Sequence, residues 1–239
     1  MHTMQGQLRS PAYRRVMFTN LFSGLGNIEA IIVRIIPALI CITFHELAHG
    51  YTAYRLGDRT AKDMGRLTLN PIKHIDIFGL LMMILVRFGW AKPVPVNMNN
   101  FKNPRTYMAI TAFAGPLSNI ILALLVMFLY GFFFRMISTM TSPATGAIIH
   151  DIIQNTVFIS IALAIFNMMP IPPLDGSKIL FSLLPEDSYY KLMRYERFGF
   201  ILLLLVLTTD IFQNTIGRLT NTLFNSFLFV WQTSFSMVN

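Results

Sequence analysis

His45-Glu46-Leu47-Ala48-His49 places two imidazoles four residues apart, with a carboxylate directly after the first. On a helix, residues i and i+4 project from one face, one turn above the other. Both rings can then reach a single divalent metal, most simply zinc, while Glu46 stands beside it as a base for a water that the metal activates. Cys41, four residues before His45, shares that face; it is either a thiolate ligand or a small buried hydrophobe. A catalytic zinc usually takes three protein ligands and keeps a fourth position open. Asp175 is the best third ligand on sequence alone, because it follows an apolar run, sits near Pro172-Pro173 and precedes Gly176. Its alternative role is to cap a helix over residues 176–184.

The elements that must position these groups are membrane helices. The motif closes a run that begins at Ile31 and contains Ile35, Ile36, Leu39, Ile40, Ile42 and Phe44. Ionised groups at that depth are costly and are kept for function. Over the whole chain of 239 residues, 54% are hydrophobic and only 13% charged, about half the charged share of a soluble protein. The composition therefore predicts an all-α polytopic membrane protein of about four to six segments. It forms one domain over residues 1–239, with a catalytic core at about 28–184 and accessory segments at about 196–235. The strong spans are expected at about 28–54, 107–134, 148–169 and 198–212, with 216–235 as a fifth span or a surface helix. The single cysteine allows no intrachain disulfide. The formal net charge of +8 does not point to nucleic acid, because the basic residues lie in short loops between apolar runs, where they report topology.

Parity then constrains the segment at 75–96. If Asp175 is to meet the histidines, the ends of the first and third spans must share one membrane side, so 75–96 must enter and leave by one face as a re-entrant extended hairpin. That arrangement puts Arg55, Arg59, Lys62, Arg66, Lys73, Lys92, Lys102, Arg105, Lys178, Lys191, Arg194 and Arg197 on the cytoplasmic side, against Arg135 and Arg218 outside. Arg9, Arg14 and Arg15 fit only if residues 16–27 make an extra interfacial turn.

With these motifs in order, the chain resembles the site-2 proteases, the intramembrane zinc metalloproteases. His45-Glu46-Leu47-Ala48-His49 is similar to their first motif, and Asn167 through Leu174-Asp175-Gly176 to their second. Ala114-Gly115-Pro116 with Asn119 is similar to a third, weaker pattern. Gly89 through Asn97 resembles a compact prokaryotic branch that carries neither a PDZ nor a CBS domain. The resemblance covers about residues 31–184. It implies one Zn2+ per chain held by His45, His49 and Asp175, with Glu46 as catalytic base and Asn167 as hydrogen-bond donor to the substrate backbone or oxyanion. It also implies a transmembrane protein or peptide as substrate, cut near the cytoplasmic face of a cell membrane. It leaves regulation, the physiological substrate and the oligomeric state open.

The other polar residues carry weaker expectations. His74 and Asp76 read as an interfacial cap, His150 and Asp151 as solvated groups on the opposite face, and Arg34 and Arg87 as snorkelling cations. Asn119 either holds a contact to the motif through its amide or packs between helices. Two rival functions come from other classes. A silent zinc-binding scaffold would have no need of Glu46, and a metal or ion transporter should show repeated halves or a polar pathway, neither of which is present.

Overall fold

The computed structural model describes residues 28–85 and 89–237; the expectations for residues 1–27 and for Arg87 lie outside them. The motif-bearing helix α1 (Ile28–Arg55) keeps Pro37 within it. It ends where Gly57, at φ 111°, takes a left-handed conformation closed to most side chains. A connection containing α2 (Thr60–Asp63) and a 3-10 turn (Pro71–His74) leads to α3 (Ile77–Leu85). The chain returns as an extended arm over 89–97, and a second 3-10 turn (Met98–Asn100) precedes α4.

Two helices joined by a tight turn follow, and each start is written in its first residues. Asn103 caps α4 (Pro104–Met140) by accepting the Thr106 N–H, and Ser142 caps α5 (Pro143–Asn167) by accepting that of Thr145. In both, proline fills the first helical position, where no N–H is needed. The caps place α4 three residues earlier than the apolar pattern suggested, and α5 five. Helices α6 (Asp175–Ser182), α7 (Glu186–Leu207) and α8 (Asp210–Ser236) complete the described chain.

Among the described residues, three helices are long and apolar enough to cross a membrane: Ile31–Arg55, Pro104–Met140 and Pro143–Asn167. The outward faces are greasy and the inward ones small or polar. On α4, Ile110, Phe113, Leu117, Ile121 and Leu125 are exposed, whereas Thr111, Ala112, Gly115, Asn119 and Ala123 are buried. That inversion is how helices pack in lipid, where apolar side chains gain little by leaving the solvent and small residues let backbones approach.

The contacts also give the relative directions. Phe44, His45 and His49 of α1 meet Ser118, Asn119 and Thr111 of α4, so these two helices run antiparallel. Helices α4 and α5 are antiparallel as well, pairing Asn119 with Ser160 and Tyr130 with His150. The C-terminal ends of α1 and α5 therefore lie at one end of the bundle, as the parity argument required.

Three expectations need correction. The hairpin at 75–96 is extended only on its return arm, because Ile77–Leu85 is helical. The ends of the excursion do meet, through an isolated antiparallel bridge between Ile75 and Ala91. The expected span at 198–212 breaks after Leu207, and its apolar part, Phe198–Leu207, turns by 80° into α8. The cause is Thr209, whose hydroxyl accepts the Phe212 N–H and starts a new helix. Counted as one broken span, this pair raises the membrane segments to four. Finally, His150 is not simply solvated: it is half-buried and its Nδ1 lies 2.6 Å from the Tyr130 hydroxyl.

Candidate metal centre

Helix α1 brings His45 and His49 together as the spacing requires, their Nε2 atoms 3.0 Å apart. Asp175 arrives from the far end of the core sequence. Its Oδ2 lies 3.2 Å from His45 Nε2 and 3.1 Å from His49 Nε2. The three residues are buried, and one ligand atom from each lies within 4.8 Å of the others. The capping alternative for Asp175 does not hold. Leu174 is the N-cap, Asp175 is the first helical residue, and the buried Asp175 Oδ2 accepts no hydrogen bond from the helix N-terminus.

Glycines let this approach happen. A Cβ on Gly115 would overlap the His49 ring and crowd that of His45, so α4 can lie against the motif only without a side chain there. A Cβ on Gly176 would strike the Met168 and Met169 carbonyls, so this glycine lets the start of α6 tuck under the end of α5. Arg105, near the start of α4, holds the other end of α6 through the carbonyls of Ser182 and Leu184.

The hydrogen bonds around the histidines test whether a metal fits. His49 Nδ1 lies 2.7 Å from the Thr111 carbonyl, which only accepts, so the ring proton sits on Nδ1 and Nε2 offers a lone pair. The Asn119 amide lies 3.2 Å from His45 Nδ1. With its oxygen on that side it accepts the Nδ1–H, giving a partner to Oδ1, which is otherwise a buried oxygen without one. Both Nε2 lone pairs then point at Asp175 Oδ2, itself buried without a hydrogen-bond donor. Two lone pairs and a carboxylate oxygen so close together repel unless a cation lies among them, and two nitrogens with one oxygen suit zinc. With a metal bound, Asn119 and Thr111 would be outer partners of the two histidines, of the kind that fix ring tautomer and orientation. Sequence reasoning left Asn119 undecided between a motif contact and packing, and missed Thr111 altogether.

The remaining candidates fall elsewhere. Glu46, half-buried beside His45, accepts the Val94 N–H on Oε2 at 2.7 Å. Asn167 ends α5 and donates to the Leu163 carbonyl of its own helix at 3.0 Å. Cys41 is fully buried with its thiol on the Thr156 carbonyl, and it stands outside the His-His-Asp group. Asp76 is a cap, accepting the Gly79 N–H, whereas His74 is buried with Nε2 on the Thr68 carbonyl.

The comparisons with known proteins show the family. The sequence profile of Peptidase family M50 matches residues 33–207. YwhC of Bacillus subtilis (strain 168), whose name marks it as a candidate zinc metalloprotease, is 40% identical over 183 residues, covering 74% of this chain and 80% of that protein. Rip2 of Mycolicibacterium smegmatis, named in the same way, is 29% identical over 189 residues, covering 77% and 70%. No solved structure matches. The matched stretch spans both histidines and Asp175, and the chain belongs to peptidase family M50, the site-2 protease family of metalloproteases.

Proposed function

We propose that this metalloprotease is an intramembrane enzyme that hydrolyses a peptide bond in or near a transmembrane segment of a membrane-protein substrate, close to the cytoplasmic face. One observation carries the reading: two histidines and an aspartate converge, buried, among helices long and apolar enough to cross a bilayer. His45, His49 and Asp175 would hold one zinc ion. When bound, zinc polarises a carbonyl and lowers the pKa of a water to about 7. Glu46 takes the proton of the attacking water and returns it to the leaving amine. Asn167, one helix end away from Asp175, exchanges its Leu163 partner for a substrate backbone group or the developing oxyanion.

The surroundings support a hydrophobic substrate. An apolar cavity of about 450 Å³ between α4, α5 and α8 is lined by Leu117, Ile165, Met168, Ile216 and Leu219, and it reaches Pro116 beside the glycine that faces the histidines. The described part of the excursion at 75–96 carries Ile77, Phe78, Leu81 and Trp90 on its surface, which suits immersion in lipid.

Glu46→Gln tests the reading. The variant keeps the size and acceptor oxygen of Glu46 but not its basicity, so purified protein should retain about one zinc per chain while cleavage falls by at least about a hundredfold. Zinc content by mass spectrometry and cleavage of a synthetic transmembrane peptide in vesicles measure the two. Wild-type cleavage by the Gln variant overturns the mechanism.

A further inference from the structure

The return arm at 89–97 poses a problem of support. Pro93 and Pro95 carry no N–H, so the donors that could tie alternate residues of an extended chain into a sheet are missing there. Among the described residues, its backbone pairing with the outward arm is confined to the Ile75–Ala91 bridge and the adjoining bond from the Lys92 N–H to the His74 carbonyl at 2.9 Å. Two buried charges from the connection after α1 hold it instead. Arg66, 6% exposed, donates from Nη2 to the carbonyls of Lys92 at 2.8 Å and Pro93 at 3.3 Å. Asp58, fully buried, accepts the Asn97 N–H on Oδ2 and the Asn100 side-chain amide on Oδ1, both at 2.7 Å. The ion pairs found among the described residues involve neither group. A buried charge that answers no opposite charge is expensive, and here each is spent on backbone dipoles, the cation on carbonyls and the anion on amides.

Val94 lies between the two grips, and its N–H is the donor to Glu46 Oε2. We propose that Arg66 and Asp58 are positioning residues for Glu46. By fixing the arm on both sides of Val94, they hold the Val94 N–H on one carboxylate oxygen, so that the side chain keeps a single orientation and Oε1 is left to exchange the proton. Neither residue touches the metal ligands or needs to touch the substrate. The proposal rests on the reading of Glu46 as the base and extends it to the groups that aim it.

The test removes the Val94 N–H by replacing Val94 with its α-hydroxy acid, so that residue 94 joins Pro93 through an ester; the change also weakens the Pro93 carbonyl as an acceptor, while the shorter Arg66 bond to the Lys92 carbonyl is kept. The ester is combined with Arg66→Met, Arg66→Lys and Asp58→Asn in the full chain. The probe is a synthetic transmembrane peptide of Leu and Ala with one central Asn-Gly pair, reconstituted in vesicles with the enzyme. The ester should lower kcat about tenfold or more, as expected for one charge-assisted hydrogen bond, with KM and zinc content nearly unchanged. Arg66→Met and Asp58→Asn should lower kcat similarly, and Arg66→Lys should recover part of the loss. In the ester background, Arg66→Met should cost no further kcat, because the contact it supports is already gone; groups that act through one interaction are not additive. Unchanged kcat in the ester protein, or fully additive losses in the double variant, overturns the proposal. Amide exchange at Val94 in detergent gives a second readout: it should quicken at least about tenfold in Arg66→Met, and unchanged exchange also overturns the proposal. If Arg66→Met fails to fold, Arg66→Lys takes its place in the cycle with the same expected non-additivity. Glu46→Gln separates the two levels. If that variant still cleaves, the base reading fails and this inference with it. If it is inactive while the ester protein is fully active, only this inference fails.

Discussion

At the scale of single residues, the metal group depends on neighbours that carry no chemistry of their own. Gly115 is needed for its missing side chain, since any Cβ meets both imidazoles. Asn119 and Thr111 set which ring nitrogens keep their protons. Gly115→Ala and Asn119→Leu should each weaken zinc binding, the latter about ten- to a hundredfold, as for other outer partners of metal ligands. Cys41→Ser, one turn from His45 but outside the group, should leave zinc binding unchanged. Competition with a chelator measures all three, and unaltered affinity in Asn119→Leu would remove that residue from the site. The motif His45-Glu46-Leu47-Ala48-His49 was legible because its geometry is local, one turn of one helix. Asn119 was not, since nothing in its neighbours records that it faces a ring 74 residues away.

At the scale of elements, the short helices and extended arm of the connection from Gly57 to Asn100 are tied together by side chains. Asp58 is its anchor. Burial alone would raise its pKa, but the hydrogen bonds from Thr60, Asn100 and Asn97 outweigh that and hold it below the ordinary carboxylate value. Because folding lowers this pKa, ionised Asp58 contributes stability that is complete above the unfolded value of about 3.9. The contribution is lost as pH falls below that value through the folded one. Wild type should therefore unfold at a higher temperature than Asp58→Asn at neutral pH, and the gap should narrow progressively as pH falls below the unfolded value of about 3.9. Thermal scans in detergent measure it, and a gap independent of pH would contradict this account. Sequence periodicity did find a short apolar segment here, and the prolines did mark its extended return. It missed that the outward arm is helical, because a run of nine apolar residues reads alike as strand or helix. It also carried the span at 198 past Leu207, since Thr208 and Thr209 interrupt the apolar pattern too briefly to register until the Thr209 cap is seen.

At the scale of the whole molecule, side-chain ties gather the site's supports at one end of the bundle. Asp58 joins the end of α1 to Asn97 and Asn100, and Arg105 joins the start of α4 to the end of α6. The turn between α4 and α5 lies at the other end. Cysteine labels at Lys62, Asn99 and Asp187 should therefore react from one side of a sealed vesicle and a label at Thr141 from the opposite side. On the proposed orientation, in which the side rich in basic residues faces the cytoplasm, the first group should label from the cytoplasmic side. Labelling of Asn99 from the side of Thr141 would make 75–96 a true span and would break the convergence of Asp175 with the histidines.

Composition, apolar run lengths and two short motifs were enough to indicate an all-helical membrane protein and to single out the three residues of its candidate metal group. These properties depend on local spacing and on the cost of placing charge in lipid, both of which a linear chain displays. The fold alone decided that Asp175 opens its helix with its carboxylate beside both imidazoles, and that Gly115 and Asn119 frame the rings. It also decided that Arg66 and Asp58 grip the arm whose amide meets Glu46. Each of these is a contact between segments distant in sequence, and its geometry exists only once the helices have packed.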